Sequence, residues 1–468
     1  MRIKCCTRLL TSLTIATTIA TTLTLGVVQA APYELIDLGT LGGKQNFSFQ
    51  INNLDEVTGY SDGRTIPDDE IDENNPSPLC TGDDGLSVSK EFCHQAYLFS
   101  NGELTELGNL GLTYSYGFGI NDNSTVVGYS LEEIDDGDDT TINRNFEVSF
   151  ISFNGGTMEA LPFPAEADNL TEDTDPSQRA LAISNDRKII GHTLIRYVND
   201  EEEESNQVRP FIYDYDSDTF NIIPLFSDVV TRTGSILAIN DSGAVAGWAV
   251  SESEFNSVHA LLWDPASPEL STDLGTLGGY TSDAKDINNN GIIVGISDTD
   301  TDFYKNETLA FIYDANESTP MMVIPEFSDQ EDFDSSAAYA INNNNQVVGA
   351  AQIKAGFTPR ATGFLYDYGT ATLINLNDMV DCSLGWEIIL ARDINDNGVI
   401  TGTGIVDTEV RSFMLVPTGD TTPTNCTALR DEAETKAEQD LIDSIGSGSL
   451  GMIPLVFLSS ILLWRRRL

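Results

Sequence analysis

The chain has 468 residues, with three histidines, His94, His192 and His259, against 73 Asp and Glu. Histidine is the side chain best suited to moving a proton near neutral pH, so the three are weighed first. His94 and His259 open the segments "HQAYLFS" (94–100) and "HALLWD" (259–264), and His192 follows Gly191 in "ISNDRKIIGH". All three fall at positions that recur along the chain, which reads as framework rather than ligand or base. No Gly-x-Ser-x-Gly elbow, HExxH or Walker-type phosphate loop accompanies them. Carboxylates are the abundant candidates. "SDTDTD" sets Asp298, Asp300 and Asp302 at alternate positions, "DYDSD" does so for Asp214, Asp216 and Asp218, and "DDGDD" supplies Asp135, Asp136, Asp138 and Asp139. Alternating acids in a loop can wrap a hard cation such as Ca²⁺ in oxygen ligands. Asp298, Asp300 and Asp302 are the best candidate of the three, although the Gly and Glu of an EF-hand loop are missing and chance runs are expected in so acidic a chain. Paired carboxylates could also serve a glycosidase mechanism, but with 73 acids no pair can be nominated. Glu201–Glu204 reads as a solvated loop.

The elements that position these side chains lie between two removable ends. "MRIKCCTRLLTSLTIATTIATTLTLGVVQA" has basic residues, an apolar run over 9–28 and the small-residue exit Val28-Gln29-Ala30. It reads as a secretory signal peptide over 1–30 cut after Ala30, the alternative being an uncleaved anchor. At the other end Leu450–Trp464 is followed by Arg465, Arg466 and Arg467. As a helix this span is roughly 22 Å long, short of the ~30 Å hydrocarbon core. The arginines would stay on the cytoplasmic side. Setting both ends aside leaves 18 Lys and Arg against 73 Asp and Glu, a net charge of −55. Such a surface repels phosphate backbones and argues against nucleic-acid binding. Past the leader four cysteines remain, Cys80, Cys93, Cys382 and Cys426. Four cysteines allow three pairings; Cys80–Cys93 with Cys382–Cys426 is favoured, and there is no CxxC pattern.

One unit is written seven times between these ends: "INNLDEVTG" (51–59), "INDNSTVVG" (120–128), "ISNDRKIIG" (183–191), "INDSGAVAG" (239–247), "INNNGIIVG" (287–295), "INNNNQVVG" (341–349) and "INDNGVITG" (394–402). Each reads as strand, tight turn, strand, with Asn, Asp and Gly supplying positive φ. The closing glycine predicts a bulge or a close backbone approach. A third strand follows each hairpin, as in "LAFIYD" (309–314), and a fourth segment follows six of them, as in "ELTELG" (103–108). Tyrosines and phenylalanines recurring in the third strand read as core between neighbouring units. The last copy lacks a fourth strand, while "YELIDLG" (33–39) has no repeat of its own. Sending it round to the seventh copy closes a ring. The expectation is an all-β, seven-bladed β-propeller over 31–417, with an open β-solenoid or a pair of sandwiches as the alternative. A linker and spacer helix follow over 418–445, then the apolar sorting or anchor segment over 446–468.

The segments "DLGTLGG", "INNNGIIVG" and "HALLW" resemble the HAF repeat family of extracellular repeats, and the whole is similar to bacterial surface proteins of the DUF3466 type. The tail, with Gly446 and Gly448, a short apolar span and terminal arginines, resembles the GlyGly-CTERM sorting signal of Gram-negative bacteria. That resemblance implies cutting near the glycines by a rhomboid-type sorting protease (rhombosortase) and delivery to the cell surface; a plain membrane anchor through 450–464 is the alternative. No activity follows from either resemblance. The expectation is an exported binding or scaffold module for an extracellular glycan or protein, more so than an enzyme. The alternative is a secreted hydrolase or lyase with a carboxylate-based site at the axial mouth.

Overall fold

The computed structural model describes residues 31–63, 94–110, 114–134, 144–165, 167, 177–198, 204–226, 233–251, 257–302, 307–317, 320–325, 327, 335–355, 358–430, 432 and 436. The expected leader, Cys80–Cys93, the loop at 135–139, most of the spacer helix and the sorting tail lie outside them. Among the described residues no helix is long and apolar enough to cross a membrane.

Seven four-stranded antiparallel sheets form the blades of a propeller. Blade 1 comprises β2 (Gly42–Ile51), β3 (Val57–Gly63), β4 (His94–Ser100) and β5 (Glu103–Gly108). Blade 2 comprises β6 (Ser115–Ile120), β7 (Thr125–Ile134), β8 (Arg144–Phe153) and β9 (Glu159–Ala160). Blade 3 has β10 (Gln178–Ile183), β11 (Lys188–Val198), β12 (Glu204–Asp214) and β13 (Thr219–Ile222). Blade 4 has β14 (Gly234–Ile239), β15 (Val245–Val250), β16 (Val258–Trp263) and β17 (Thr272–Asp273). Blade 5 has β18 (Ser282–Ile287), β19 (Ile292–Asp298), β20 (Thr308–Asp314) and β21 (Met322–Val323). Blade 6 has β22 (Ser336–Ile341), β23 (Gln346–Ala355), β24 (Thr358–Asp367) and β25 (Thr372–Asn375). Blade 7 takes β26 (Glu387–Ile394), β27 (Ile400–Val406) and β28 (Glu409–Pro417), and its fourth strand is β1 (Tyr33–Asp37) from the other end of the described chain. The register runs Tyr33↔Pro417 to Asp37↔Phe413, so the ring closes as the orphan strand required.

The nonapeptide accounts for the blade. Its fifth residue has positive φ in all seven copies: Asp55, Ser124, Arg187, Gly243, Gly291, Asn345 and Gly398. Its ninth, the glycine, faces a bulge in the first strand, as at Ala284/Asp286 opposite Gly295. A Cβ on Gly295 would lie 2.1 Å from the Asp283 carbonyl oxygen, and one on Gly402 would lie 2.1 Å from that of Leu390. Across the sheet the same glycines pair with the large third-strand residues Tyr97, Phe150, Phe211, Leu261, Phe311, Phe364 and Phe413. All seven are buried. The rings of Phe150, Phe311, Phe364 and Phe413 press on the space a Cβ would fill. Glycine, bulge and ring form one packing device.

The asparagine at the second position joins blades. Asn288 Oδ1 accepts from the N–H of Asn290 (3.0 Å) and Ile292 (2.9 Å), holding the turn, while its Nδ2 donates to the Asn342 carbonyl of the next blade (3.0 Å). The same reach runs from Asn52 to Asn121, Asn121 to Ser184, Asn240 to Asn288, Asn342 to Asn395, and Asn395 back to Asn52. Ser184 is the departure from Ile-Asn, and with no amide it leaves the step to Asn240 without this bond.

The two "DLGTLGG" copies are one connector used twice, leading from a fourth strand into the next blade. Asp37 and Asp273 each accept the N–H of the following glycine (2.8 Å), and Leu41 and Leu277 donate to Ser61 and Ser297. Cys382 and Cys426 form a disulfide, Cα–Cα 5.4 Å, the pairing favoured for these two cysteines because it ties the tail to the last repeat. It fastens residues 426–430, which are helical, to the connector between blades 6 and 7, where the Thr427 N–H donates to Asp378 (2.7 Å) and Arg430 pairs with Glu387 (3.2 Å).

Candidate functional site

Antiparallel strands send the nonapeptide turns to one face of the ring and the second-to-third-strand and blade-to-blade connectors to the other. The nonapeptide turn is constant in length. The third-to-fourth-strand turns share its face and vary from two residues (101–102) to eight (264–271), but most of the variation in unit spacing, 48 to 69 residues, comes from the connectors on the opposite, loop face. Loops carry recognition where a rigid scaffold holds them.

Just beneath the loop face each blade presents one residue from its first strand and one from its second, directly paired. In blades 1 to 4 these are Phe47↔Tyr60, Tyr116↔Tyr129, Arg179↔His192 and Ser235↔Trp248. In blades 5 to 7 they are Asp283↔Ile296, Ala337↔Ala350 and Leu390↔Thr403. The layer thus carries aromatic rings in blades 1, 2 and 4 and the Arg179–His192 pair in blade 3. Blades 5 to 7 carry no aromatic ring there and one charged side chain, Asp283, which pairs with Lys285. Tyr60 stacks on Phe47 with centroids 5.0 Å apart, and Tyr116 stacks on Tyr129 at the same distance. His94 packs on Tyr60 (4.6 Å) and its Nδ1 lies 2.8 Å from the Tyr116 hydroxyl. Burial lowers the His94 pKa and pushes the Tyr60 hydroxyl up to about 12, so both are neutral at physiological pH.

A cavity of about 440 Å³ opens beside this layer, across blades 2 to 4, with Glu147, Ser177, Arg179, His192 and Trp248 in its wall. Arg179 lies over the Tyr129 ring (4.7 Å) and grips Glu147 through Nε (2.7 Å) and Nη2. Ser177 donates to the same carboxylate (2.7 Å). Burial alone would raise Glu147; the hydrogen bonds from Arg179 and Ser177 outweigh it and hold the carboxyl below its ordinary range. The His192 Nδ1 lies 2.8 Å from Ser235 Oγ. Burial and the Arg179 charge depress His192 to about 4, so its imidazole is neutral. Glu147 is therefore a fixed acceptor, and His192 and Ser235 are neutral polar partners beside a part-exposed indole. The spacing reading placed His192 and His94 in the framework; both do occupy repeat positions, and both also wall this layer. The aromatic core reading holds for the third strand but missed Phe47, Tyr60, Tyr116 and Tyr129. Aligning the seven copies at the residue after the closing glycine (Tyr60, Tyr129, His192, Trp248, Ile296, Ala350, Thr403) would have exposed the asymmetry.

Of the remaining candidates, His259 Nδ1 sits on Asp273, 2.8 Å from one oxygen, within blade 4. Asp298 accepts the hydroxyls of Thr281 (2.6 Å) and Thr308 (3.1 Å), and Asp300 accepts the Asp302 N–H (2.9 Å). Among the described residues no three His, Cys, Asp or Glu side chains come together as a metal site, and the loop that carries Asp298, Asp300 and Asp302 runs on into residues outside them. Asp214 and Asp218 serve turn and tyrosine contacts of blade 3.

Comparison with known proteins adds little beyond the fold. No curated protein matches the chain. Among solved structures, a protein of unknown function from Dyadobacter fermentans is 11% identical, with 71% of this chain and 97% of that one covered and a TM-score of 0.38. The β-propeller domain of the trilobed protease from Pyrococcus furiosus is 10% identical over 83% and 97%, with a TM-score of 0.46. TolB from Acinetobacter baumannii is 9% identical over 70% and 77%, with a TM-score of 0.34. At the sequence level, residues 273–467 match the model of a family described as a protein of unknown function, DUF3466.

Proposed function

We propose that this chain is an exported, cell-surface-associated propeller that binds an extracellular ligand through its loop face, and that the ligand is a glycan. One observation carries the reading: the aromatic rings of the layer under the loop face, with the Arg179–His192 pair, are confined to blades 1 to 4, and blades 5 to 7 supply none. A sugar ring has an apolar C–H face and a rim of hydroxyls. The part-exposed Trp248, Tyr60 and Tyr116 offer surfaces for the first, and the fixed Arg179–Glu147 pair with His192 offers partners for the second. The signal at 1–30, the GlyGly-CTERM-like tail and a rhomboid-type sorting protease acting on it remain part of this reading, with 450–464 in the membrane before processing. The Cys382–Cys426 disulfide supports export, since such bonds persist in oxidising compartments. A glycan screen by calorimetry tests it. The chain should bind at least one oligosaccharide, and Trp248→Ala should weaken that binding about tenfold or more, in line with loss of a central aromatic anchor. A chain that binds no glycan overturns the reading.

The axial channel favours the second reading, a hydrolase or lyase. Asp286 and Asp393 border it and are otherwise enclosed by protein. Burial pushes Asp286 to about 6, and burial with repulsion from Asp286 pushes Asp393 to about 7. Carboxyls in that range suit acid–base work. Polysaccharide turnover lost in Asp393→Asn but kept in Trp248→Ala would replace the binding reading.

A further inference from the structure

Within the same channel, Arg392 on β26 is held in a way that the loop-face reading does not use. Its guanidinium carbon lies 5.5 Å from the Phe49 ring centroid and 4.9 Å from that of Tyr339. The two rings cover part of the cation, but its five N–H donors point outward in the guanidinium plane and still need acceptors. Among the described residues none hydrogen-bonds to them and no carboxylate pairs with them. That is unusual in a chain of net charge −49. The nearby acids are engaged elsewhere. Asp393 accepts from the N–H of Ile394 and of Ile51 (both 2.8 Å), and Asp286 accepts from Ile287 (2.8 Å) and Ile341 (2.7 Å). Lys285, the other cation on the channel wall, is paired with Asp283. The Gln50 side-chain oxygen Oε1 accepts from the Ile120 N–H (2.7 Å). What remains is an unpaired donor edge facing a cavity of about 220 Å³ walled by Phe49, Phe118 and Tyr339.

We propose that the axial channel binds a single oxyanion on the free edge of Arg392. A carboxylate or a phosphate presents two oxygens at the spacing of the guanidinium fork, and such bidentate pairs are the strongest of the charge-assisted hydrogen bonds. The aromatic walls favour an anion with a flat apolar body over a bare one, so an aryl carboxylate is the best probe. Burial pushes Asp286 to about 6, and burial with repulsion from Asp286 pushes Asp393 to about 7, which lessens their opposition to an incoming anion.

Calorimetric titration of the full chain with benzoate, acetate and inorganic phosphate at fixed ionic strength is the test. Fixed ionic strength and a saturable one-to-one heat separate binding from general salt stabilisation. Benzoate is expected to bind more tightly than acetate; a phosphate heat exceeding that of benzoate would show that the natural group is a phosphate, with the site unchanged. Arg392→Gln should abolish the heat. Arg392→Lys keeps the charge but loses the fork, and should weaken binding about tenfold; it serves if the glutamine variant fails to fold. Absence of heat from all three anions overturns the proposal, as does an equal heat in the native chain and Arg392→Lys.

Discussion

The seven second-position residues of the nonapeptide differ in one place, and that place makes a measurable statement. Asn288 satisfies two turn N–H groups, that of Ile292 buried and that of Asn290 part-buried, and one buried carbonyl of the next blade. Asn288→Ala strips partners from all three, and leaving buried polar groups unsatisfied costs about 1–3 kcal/mol each; a loss of about 3 kcal/mol in urea unfolding is expected. Ser184 accepts the Lys188 N–H (3.0 Å) but cannot reach across to Asn240. Ser184→Asn restores the missing bond and should stabilise the ring by about 1 kcal/mol. An unchanged midpoint would mean that this seam is held by other contacts. The channel acids make a statement about pH. An Asp whose folded pKa is raised keeps a proton that the unfolded chain has released, so stability falls as pH rises between the two values. For Asp286 and Asp393 that window runs from 3.8 to about 7. The native chain should lose thermal stability from pH 4 to 7 more steeply than the Asp286→Asn/Asp393→Asn double variant, whatever the variant's absolute midpoint. Parallel slopes would show that the backbone N–H groups and Arg392 hold both acids ionised.

At the scale of the element, the hairpin is specified by position more than by residue type. Gly295 is fixed by the Asp283 carbonyl 2.1 Å from a would-be Cβ, and backbone cannot yield as a side-chain tip can. Gly295→Ala should cost about 3 kcal/mol through overpacking of the bulge and the Phe311 ring, read as a drop in the denaturation midpoint. This rigidity is why the blades were legible: a glycine that must be glycine and an asparagine that must bridge recur at fixed spacing, and the fourth-strand count dictated closure. The candidate site was not legible for the complementary reason. Tyr60, Tyr129, His192 and Trp248 occupy a strand position where any side chain fits, because the facing third-strand residues Ala96, Ser149, Pro210 and Ala260 are small. Alternation marks such a residue as strand and says nothing about what it faces. The positive φ at Ser124 and Arg187 was equally hidden, since neither type favours it and the register of the turn imposes it.

At the scale of the whole molecule, closure rests on five residues of β1, and the sequence around them shows how the ring is guarded. Cutting after Ala30, the expected signal site, leaves only Ala31 and Pro32 ahead of the strand. Their carbonyls are both held by Thr418, at 2.7 Å and 3.1 Å from its hydroxyl, and Pro32 also by the Thr418 N–H at 2.9 Å. Thr418 follows β28, so the closing strand is pinned to the residue that ends its partner. The Cys382–Cys426 bridge then ties the segment after β28 back to the connector entering blade 7. Both fastenings act on the same blade, the one assembled from the two ends of the ring. A bridge spanning 44 residues restricts the unfolded chain by about 4 kcal/mol on a chain-entropy estimate. Deleting residues 31–38 should therefore do more than remove one strand. It bares the β28 edge, which is a template for pairing with another chain, and it uncovers Leu415 and Phe413, now fully buried. The truncated chain is expected to unfold at lower denaturant and to associate through that edge, and reduction of the disulfide should deepen the loss. Supplying residues 31–39 as a separate peptide should reverse it by filling the vacant fourth position. A truncated chain as stable and monomeric as the native one, or one indifferent to the peptide, would mean that the blade interfaces alone hold the ring shut.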